Sequence, residues 1–122
     1  MLFAGFSSLL VYGGWALFAN WEVGLKAALT AGGVQGLTSF TSGLVSASLI
    51  EGLFKVASPT IYKMGILSML TLVSLYHIGG HLLAGTQNLW LTVAPALIVG
   101  NAYNIVYAFI VSRDGKPSDE TN

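Results

Sequence analysis

The sequence predicts an all-α fold, an integral membrane bundle of four transmembrane helices. Of the 122 residues, 54% are hydrophobic and only 8% are charged, whereas a soluble domain carries roughly 25% charged residues. The charged residues are also clustered, which leaves three stretches without Asp, Glu, Lys or Arg: residues 1–21, 27–50 and 64–112. A helix needs about 20 apolar residues to cross the hydrocarbon core. The first two stretches therefore each fit one crossing, and the third fits two.

The composition also restricts the partners. The chain has no cysteine, which excludes disulfides and thiolate metal sites. Its formal net charge is zero, which argues against a nucleic-acid partner and leaves the lipid bilayer as the expected surroundings. The apolar N-terminal stretch lacks the basic residues of a signal peptide, so we interpret it as a first span that is retained.

The first predicted helix runs from about Leu2 to Asn20, and a short polar break at residues 20–26 follows it. The second helix should begin near Val23 and could continue to Phe54. At 1.5 Å per residue this length exceeds the thickness of a bilayer. The second helix should therefore tilt, or extend beyond the membrane at its far end.

Pro59 disfavours a continuous helix through residues 51–63. The third helix is therefore predicted from about Tyr62 to Ala84, and the GTQN turn at residues 85–88 ends it. At the start of residues 51–63, Glu51 and Lys55 lie four residues apart, a spacing at which the two side chains form a weakly favourable helix pair.

The fourth helix is predicted from about Leu89 to Ser112, with a bend at Pro95 because proline removes one backbone hydrogen bond. The four-helix transmembrane domain would then occupy residues 1–112, and residues 113–122 would form a polar cytoplasmic tail.

The orientation follows from the basic residues. Only Lys26 falls on one side of the predicted bundle, and four residues fall on the other: Lys55, Lys63, Arg113 and Lys116. Because basic residues favour the cytoplasmic side, we expect both termini in the cytoplasm, in a bacterial inner membrane. The GTQN turn would then lie at the opposite surface.

The second helix carries a face of small residues. Gly32, Gly36, Ser39, Gly43 and Ser46 recur at spacings of three and four, and Gln35 and Ser42 flank them. Small residues let helices approach closely in lipid, so one interpretation is a packing surface, part of which meets another subunit. The other interpretation is a polar path that lines a pore or a substrate groove.

The fourth helix carries a second polar group, which comprises Asn101, Asn104 and Tyr103. An unpaired amide in hydrocarbon costs several kcal/mol, so both asparagines should face protein or a water-filled cavity. They could serve as hydrogen-bonded links between helices, or they could form a substrate or ion site.

His77 and His81 share one helical face because they lie four residues apart. Two histidines are half of a zinc site, and the only acid expected on the same side is Glu22, so we predict no metal and no cofactor. We expect a structural pair at the outer membrane face, hydrogen-bonded to the helix 1–2 break or to the GTQN turn. Proton sensing or relay stays open, because histidine titrates near neutral pH.

The sequence contains no set of catalytic groups, since neither histidine has a carboxylate or a nucleophile in an obvious relation to it. We therefore expect a non-enzymatic membrane protein that acts as a homo-oligomer or as an accessory subunit of a larger membrane assembly. The alternative is a channel or transporter for a small ion, solute or lipid, lined by helices 2 and 4.

Overall fold

The computed structural model describes residues 2–115, and no strand occurs among them. They form four helices, α1 (Leu2–Ala19), α2 (Leu25–Val56), α3 (Pro59–Ala84) and α4 (Leu89–Asp114). The all-helical fold class is therefore confirmed. Helices α2, α3 and α4 are long and apolar enough to cross a membrane, whereas α1 contributes the shorter apolar stretch Gly5–Ala19. Residues 116–122 of the predicted tail lie outside the described residues.

The break between α2 and α3 is shorter than predicted, because α3 begins at Pro59 and not near Tyr62. Proline is well suited to the first position of a helix, where its missing N–H would have no partner within the helix. Ser58 caps this helix, and its side chain accepts a hydrogen bond from the backbone nitrogen of Ile61 at 3.3 Å. Proline thus starts a helix here as well as ending one.

Helix α2 lies in the middle of the bundle, with α1 and α3 antiparallel to it. Near the start of α1, Gly5 faces Phe40, and further along the helix Gly13 faces Gly32. We call the end that contains residues 20–24 and 85–88 the turn end. The opposite end, which contains Lys55, Lys63 and Arg113, is called the Lys55 end.

Helix α4 is irregular where the sequence predicts a bend, since a π-helical turn, Ala96–Gly100, directly follows Pro95. Proline has no N–H to donate to the carbonyl of Leu91 four residues earlier. That carbonyl instead accepts a hydrogen bond from Trp15 Nε1 of α1 at 2.9 Å. The carbonyl of Leu91, which Pro95 leaves without a partner inside α4, therefore links α4 to α1.

The interior is polar at one end and apolar at the other. At the Lys55 end the core consists of Ile50, Tyr62, Ile66, Met69 and Ala108. Towards the turn end the buried side chains include Asn20, Gln35, His77, His81 and Thr92. Many large apolar side chains are exposed on the outer surface, for example Phe3, Val56 and Leu83. Such exposure suits lipid and not water.

Candidate functional site

A hydrogen-bonded network of buried side chains joins α2 to α3, with Gln35 at its centre. Gln35 Oε1 lies 2.7 Å from His81 Nε2, and Gln35 Nε2 lies 3.3 Å from His77 Nδ1. Towards the turn end, His81 Nδ1 lies 2.8 Å from Thr86 Oγ1. Towards the Lys55 end, His77 Nε2 lies 3.1 Å from Ser42 Oγ. The network therefore runs from the GTQN turn towards the middle of the bundle.

The chemistry of the amide fixes where each ring carries its proton. A carbonyl oxygen only accepts, so Nε2 of His81 is the donor to Gln35. The amide nitrogen only donates, so Nδ1 of His77 accepts and Nε2 of His77 donates to Ser42. An amide placed between two imidazoles cannot pass a proton on without rearranging its own bonds. The arrangement favours fixed ring orientation over the proton relay that the sequence left open.

Both histidine rings are buried. His81 does reach the GTQN turn through Thr86, but its ring is 0% exposed and that of His77 is 3% exposed. His77 lies seven residues before the end of α3, which is about 10 Å along the helix axis. Both histidines are therefore buried within the bundle, because the polar face of α2 provides partners there, and their position at the membrane surface stays a prediction.

The histidine pair has no third metal ligand nearby, since the described residues contain no cluster of three His, Cys, Asp or Glu side chains. The prediction that no metal binds here stays a prediction.

The predicted pair of Glu51 and Lys55 is wrong. Glu51 has a better partner within the bundle, because it accepts a hydrogen bond from the hydroxyl of Tyr107.

The small residues of α2 do not all pack against a neighbour. A Cβ atom on Gly32 would lie 3.1 Å from the carbonyl oxygen of Gly13, and one on Gly36 would lie 3.3 Å from that of Leu9. These two glycines therefore let the backbones of α1 and α2 approach closely. Gly43 has no atom of the described residues within 4 Å of that position, so it does not pack on a helix of this chain, and its packing on another subunit stays a prediction.

The serines of the same face have three different surroundings. Ser39 Oγ accepts a hydrogen bond from Gln35 Nε2 at 3.1 Å, and Ser42 takes part in the network through His77. Ser46 is fully buried, and its hydroxyl has no hydrogen-bond partner among the described residues. The face thus combines helix packing, histidine binding and an unsatisfied hydroxyl.

A cavity of about 540 Å³ lies between the four helices, and we call it the central cavity. Its walls are formed by the first half of α1, the middle of α2, two residues of α3 and the middle of α4. Its polar lining consists of Ser7, Ser8, Tyr12, Ser39, Ser42, His77, Asn101, Tyr103, Asn104 and Tyr107. Gly43 also borders the cavity, so one end of the histidine network and part of the α2 face meet there.

The central cavity lies where α1 and α4 separate. At the turn end these helices are joined by the hydrogen bond from Trp15 to Leu91 and by that from Asn20 Nδ2 to Thr92 Oγ1, at 2.8 Å. The cavity begins at the π-helical turn and continues along α4 to Tyr107. Hydrogen bonds therefore hold α1 and α4 together at the turn end. The irregular turn in α4 leaves space between the two helices towards the Lys55 end.

The polar residues of α4 occupy different positions around this space. Asn101 Nδ2 donates to Ser74 Oγ of α3 at 2.9 Å. Asn104 is 9% exposed and makes no side-chain hydrogen bond with a described residue. Tyr103 is 62% exposed and stacks on Tyr107, with ring centroids 6.2 Å apart.

Sequence reasoning missed the contribution of α1. Ser7, Ser8 and Tyr12 line the central cavity, although their helix reads as a uniformly apolar span. The available signal was the spacing, because residues 8 and 12 lie four apart on one helical face. A polar pair on one face of an apolar helix indicates the side that is turned away from lipid.

Comparison of the chain with protein-family models, with curated proteins and with solved structures finds no match. The assignment of function therefore rests on the residues and the geometry described above.

Proposed function

We propose that this chain is a four-span protein of a bacterial inner membrane that carries a small solute across the bilayer by way of the central cavity. The observation that supports this proposal is a cavity between the four helices in which hydroxyl, amide and imidazole groups lie among apolar side chains, and which reaches the surface at the exposed residues Phe3 and Tyr103. Polar groups without partners in a membrane interior cost free energy. They commonly face a water-filled path or a ligand.

The main expectation from the sequence, a non-enzymatic oligomer or accessory subunit, loses part of its support. It depended on a long small-residue face that seemed too large for partners within one chain. Gly32 and Gly36 already pack on α1, and Gln35 and Ser42 already bind the histidines of α3. The oligomer therefore stays a prediction, which mass measurement in mild detergent would check.

Transport can be tested in vesicles that contain the purified protein. After the vesicles are mixed with a hyperosmotic solute, light scattering reports how fast that solute enters. We expect at least one of glycerol, urea, potassium acetate and guanidinium chloride to enter faster than into empty vesicles. Gly43→Phe should reduce entry to the rate of empty vesicles, because the ring would occupy the cavity.

Gly33→Phe is the matched control for this test. Gly33 and Gly43 both have open space at the Cβ position, so neither substitution should disturb the fold. Gly33 lies on the exposed surface of α2 and does not border the cavity. Equal rates in the two variants, or no entry of any solute above empty vesicles, would contradict the proposal.

The four-span topology with both termini cytoplasmic forms part of the proposal. Helix α1 has 18 residues, about 27 Å at 1.5 Å per residue, which is close to the roughly 30 Å of a hydrocarbon core. We expect reporters fused after Asn122 and within the GTQN turn at residues 85–88 to show opposite compartments, with the C-terminal one in the cytoplasm. Reporters in the same compartment would rule out this topology.

A further inference from the structure

The most informative group in the central cavity is Asn104, because it is buried and has no partner. Its side chain is 9% exposed, lines the cavity and makes no hydrogen bond with a described residue. Ser7, Ser8 and Tyr12 on the opposite wall also make no side-chain hydrogen bond among the described residues. Among the described residues, the Oγ atom of Ser46 is the one fully buried polar side-chain atom without a partner. The amide of Asn104 and these hydroxyls are therefore open to the cavity, and what occupies the cavity is the partner within their reach.

The cavity is also uncharged. None of the described residues that line it is Asp, Glu, Lys or Arg. The carboxylate of Glu51 does not line the cavity and already accepts a hydrogen bond from the hydroxyl of Tyr107. His77 is held as a neutral ring, with its proton on the nitrogen that faces Ser42. An ion in this space would have no counter-charge to offset the loss of its hydration.

We propose that the central cavity binds a small uncharged solute that both donates and accepts hydrogen bonds, a polyol or a small amide, with Asn104 as its main contact. This inference rests on the proposed function and names the class of its substrate. The Asn104 amide supplies one acceptor and two donors. The Nδ2 atom of Asn101 is occupied by Ser74, so Asn101 offers mainly its carbonyl oxygen. The volume of about 540 Å³ falls within the 300–1,000 Å³ typical of ligand pockets.

The test compares neutral and charged probes of the same shape. Acetamide and acetate form one pair, urea and guanidinium form a second pair, and glycerol represents polyols. The thermal unfolding midpoint of the detergent-purified protein is measured with each probe at matched ionic strength. A ligand that binds only the folded state stabilises it, so we expect glycerol or a neutral amide to raise the midpoint by about 3 °C. The charged partners should have no such effect.

Asn104→Leu should abolish the shift, because leucine has a similar size and no hydrogen-bonding group. The variant should still fold, since the asparagine that it replaces has no partner to lose. Val106→Leu, at an exposed position on the same helix, is the control and should keep the shift. A shift that survives in Asn104→Leu would overturn the assignment of this residue.

The possible outcomes separate this inference from the proposed function. Stabilisation by acetate or guanidinium alone would overturn the inference and leave transport in place. Stabilisation by a neutral probe without solute entry into vesicles would support the inference and contradict transport. No stabilisation by any probe would overturn the inference, and the vesicle measurement would then decide on transport by itself.

Discussion

Replacement of Gln35 with methionine should lower the free energy of unfolding by about 2–4 kcal/mol, because it removes the side chain that binds both histidines. Methionine preserves length and volume, so packing changes little. The Nε2–H of His81 would lose the carbonyl that accepts it at 2.7 Å. The Nδ1 atom of His77 would keep only Thr38, whose Oγ1 lies 3.2 Å away, while its Nε2 atom would keep Ser42. Reversible unfolding in detergent measures the change.

The size of this effect depends on two free energies, that of a hydrogen bond between helices and that of a buried polar group without a partner. A typical hydrogen bond between membrane helices contributes only about 0.6 kcal/mol, because the unfolded chain finds other partners. A buried polar group left without a partner costs about 1–3 kcal/mol, and His81 is fully buried. The second effect should dominate, since no water reaches the ring. Leu37→Met, at an exposed position of α2, is the control, and equal stability of the two variants would refute the central role of Gln35.

Gly36→Leu should destabilise the protein by about 3 kcal/mol, at the upper end of the usual range for overpacking. A Cβ atom at this position would already lie 3.3 Å from the carbonyl oxygen and from the Cγ atom of Leu9. The remaining three carbons of the new side chain would have to occupy the space of α1. Thermal unfolding and, at equal protein concentration, the mass in detergent measure the effect.

Gly33→Leu is the matched control for this substitution. It lies in the same helix, and no atom of the described residues is within 4 Å of its Cβ position. Both variants gain the helix propensity that glycine lacks, about 0.8 kcal/mol, so their difference isolates the close approach of α1. If Gly33→Leu proved as unstable as Gly36→Leu, the packing of α1 on α2 would not depend on this glycine.

The two halves of the bundle are held by different interactions. At the turn end, polar side chains join the helices across both connections, as in the bond from Asn88 Nδ2 to the carbonyl of Ala19 at 2.9 Å. At the Lys55 end, an apolar core and the bond from Tyr62 to the carbonyl of Ala108 join α2, α3 and α4. Helix α1 has no comparable polar tie to α4 there among the described residues. The central cavity lies beside this less restrained part of α1.

The sequence by itself determined the elements of this fold. Long uncharged stretches, the polar break at residues 20–26, Pro59 and the GTQN turn predicted the four helices, because these signals act within a few residues of one another. The main error was the start of α3. Ser58 and Pro59 are as suited to beginning a helix as to interrupting one, and a local pattern does not distinguish the two.

Only the tertiary structure decided which polar groups meet. Gly36 and Gly43 look equivalent on one helical face, yet one packs on α1 and the other borders the central cavity. Helical periodicity identifies a face but not the helix that covers it. The same limit applies to Gln35 and His81, which are 46 residues apart in the chain. In a bundle with few charges, hydrogen-bonding groups must find partners inside, and the arrangement of all four helices determines which partners are within reach.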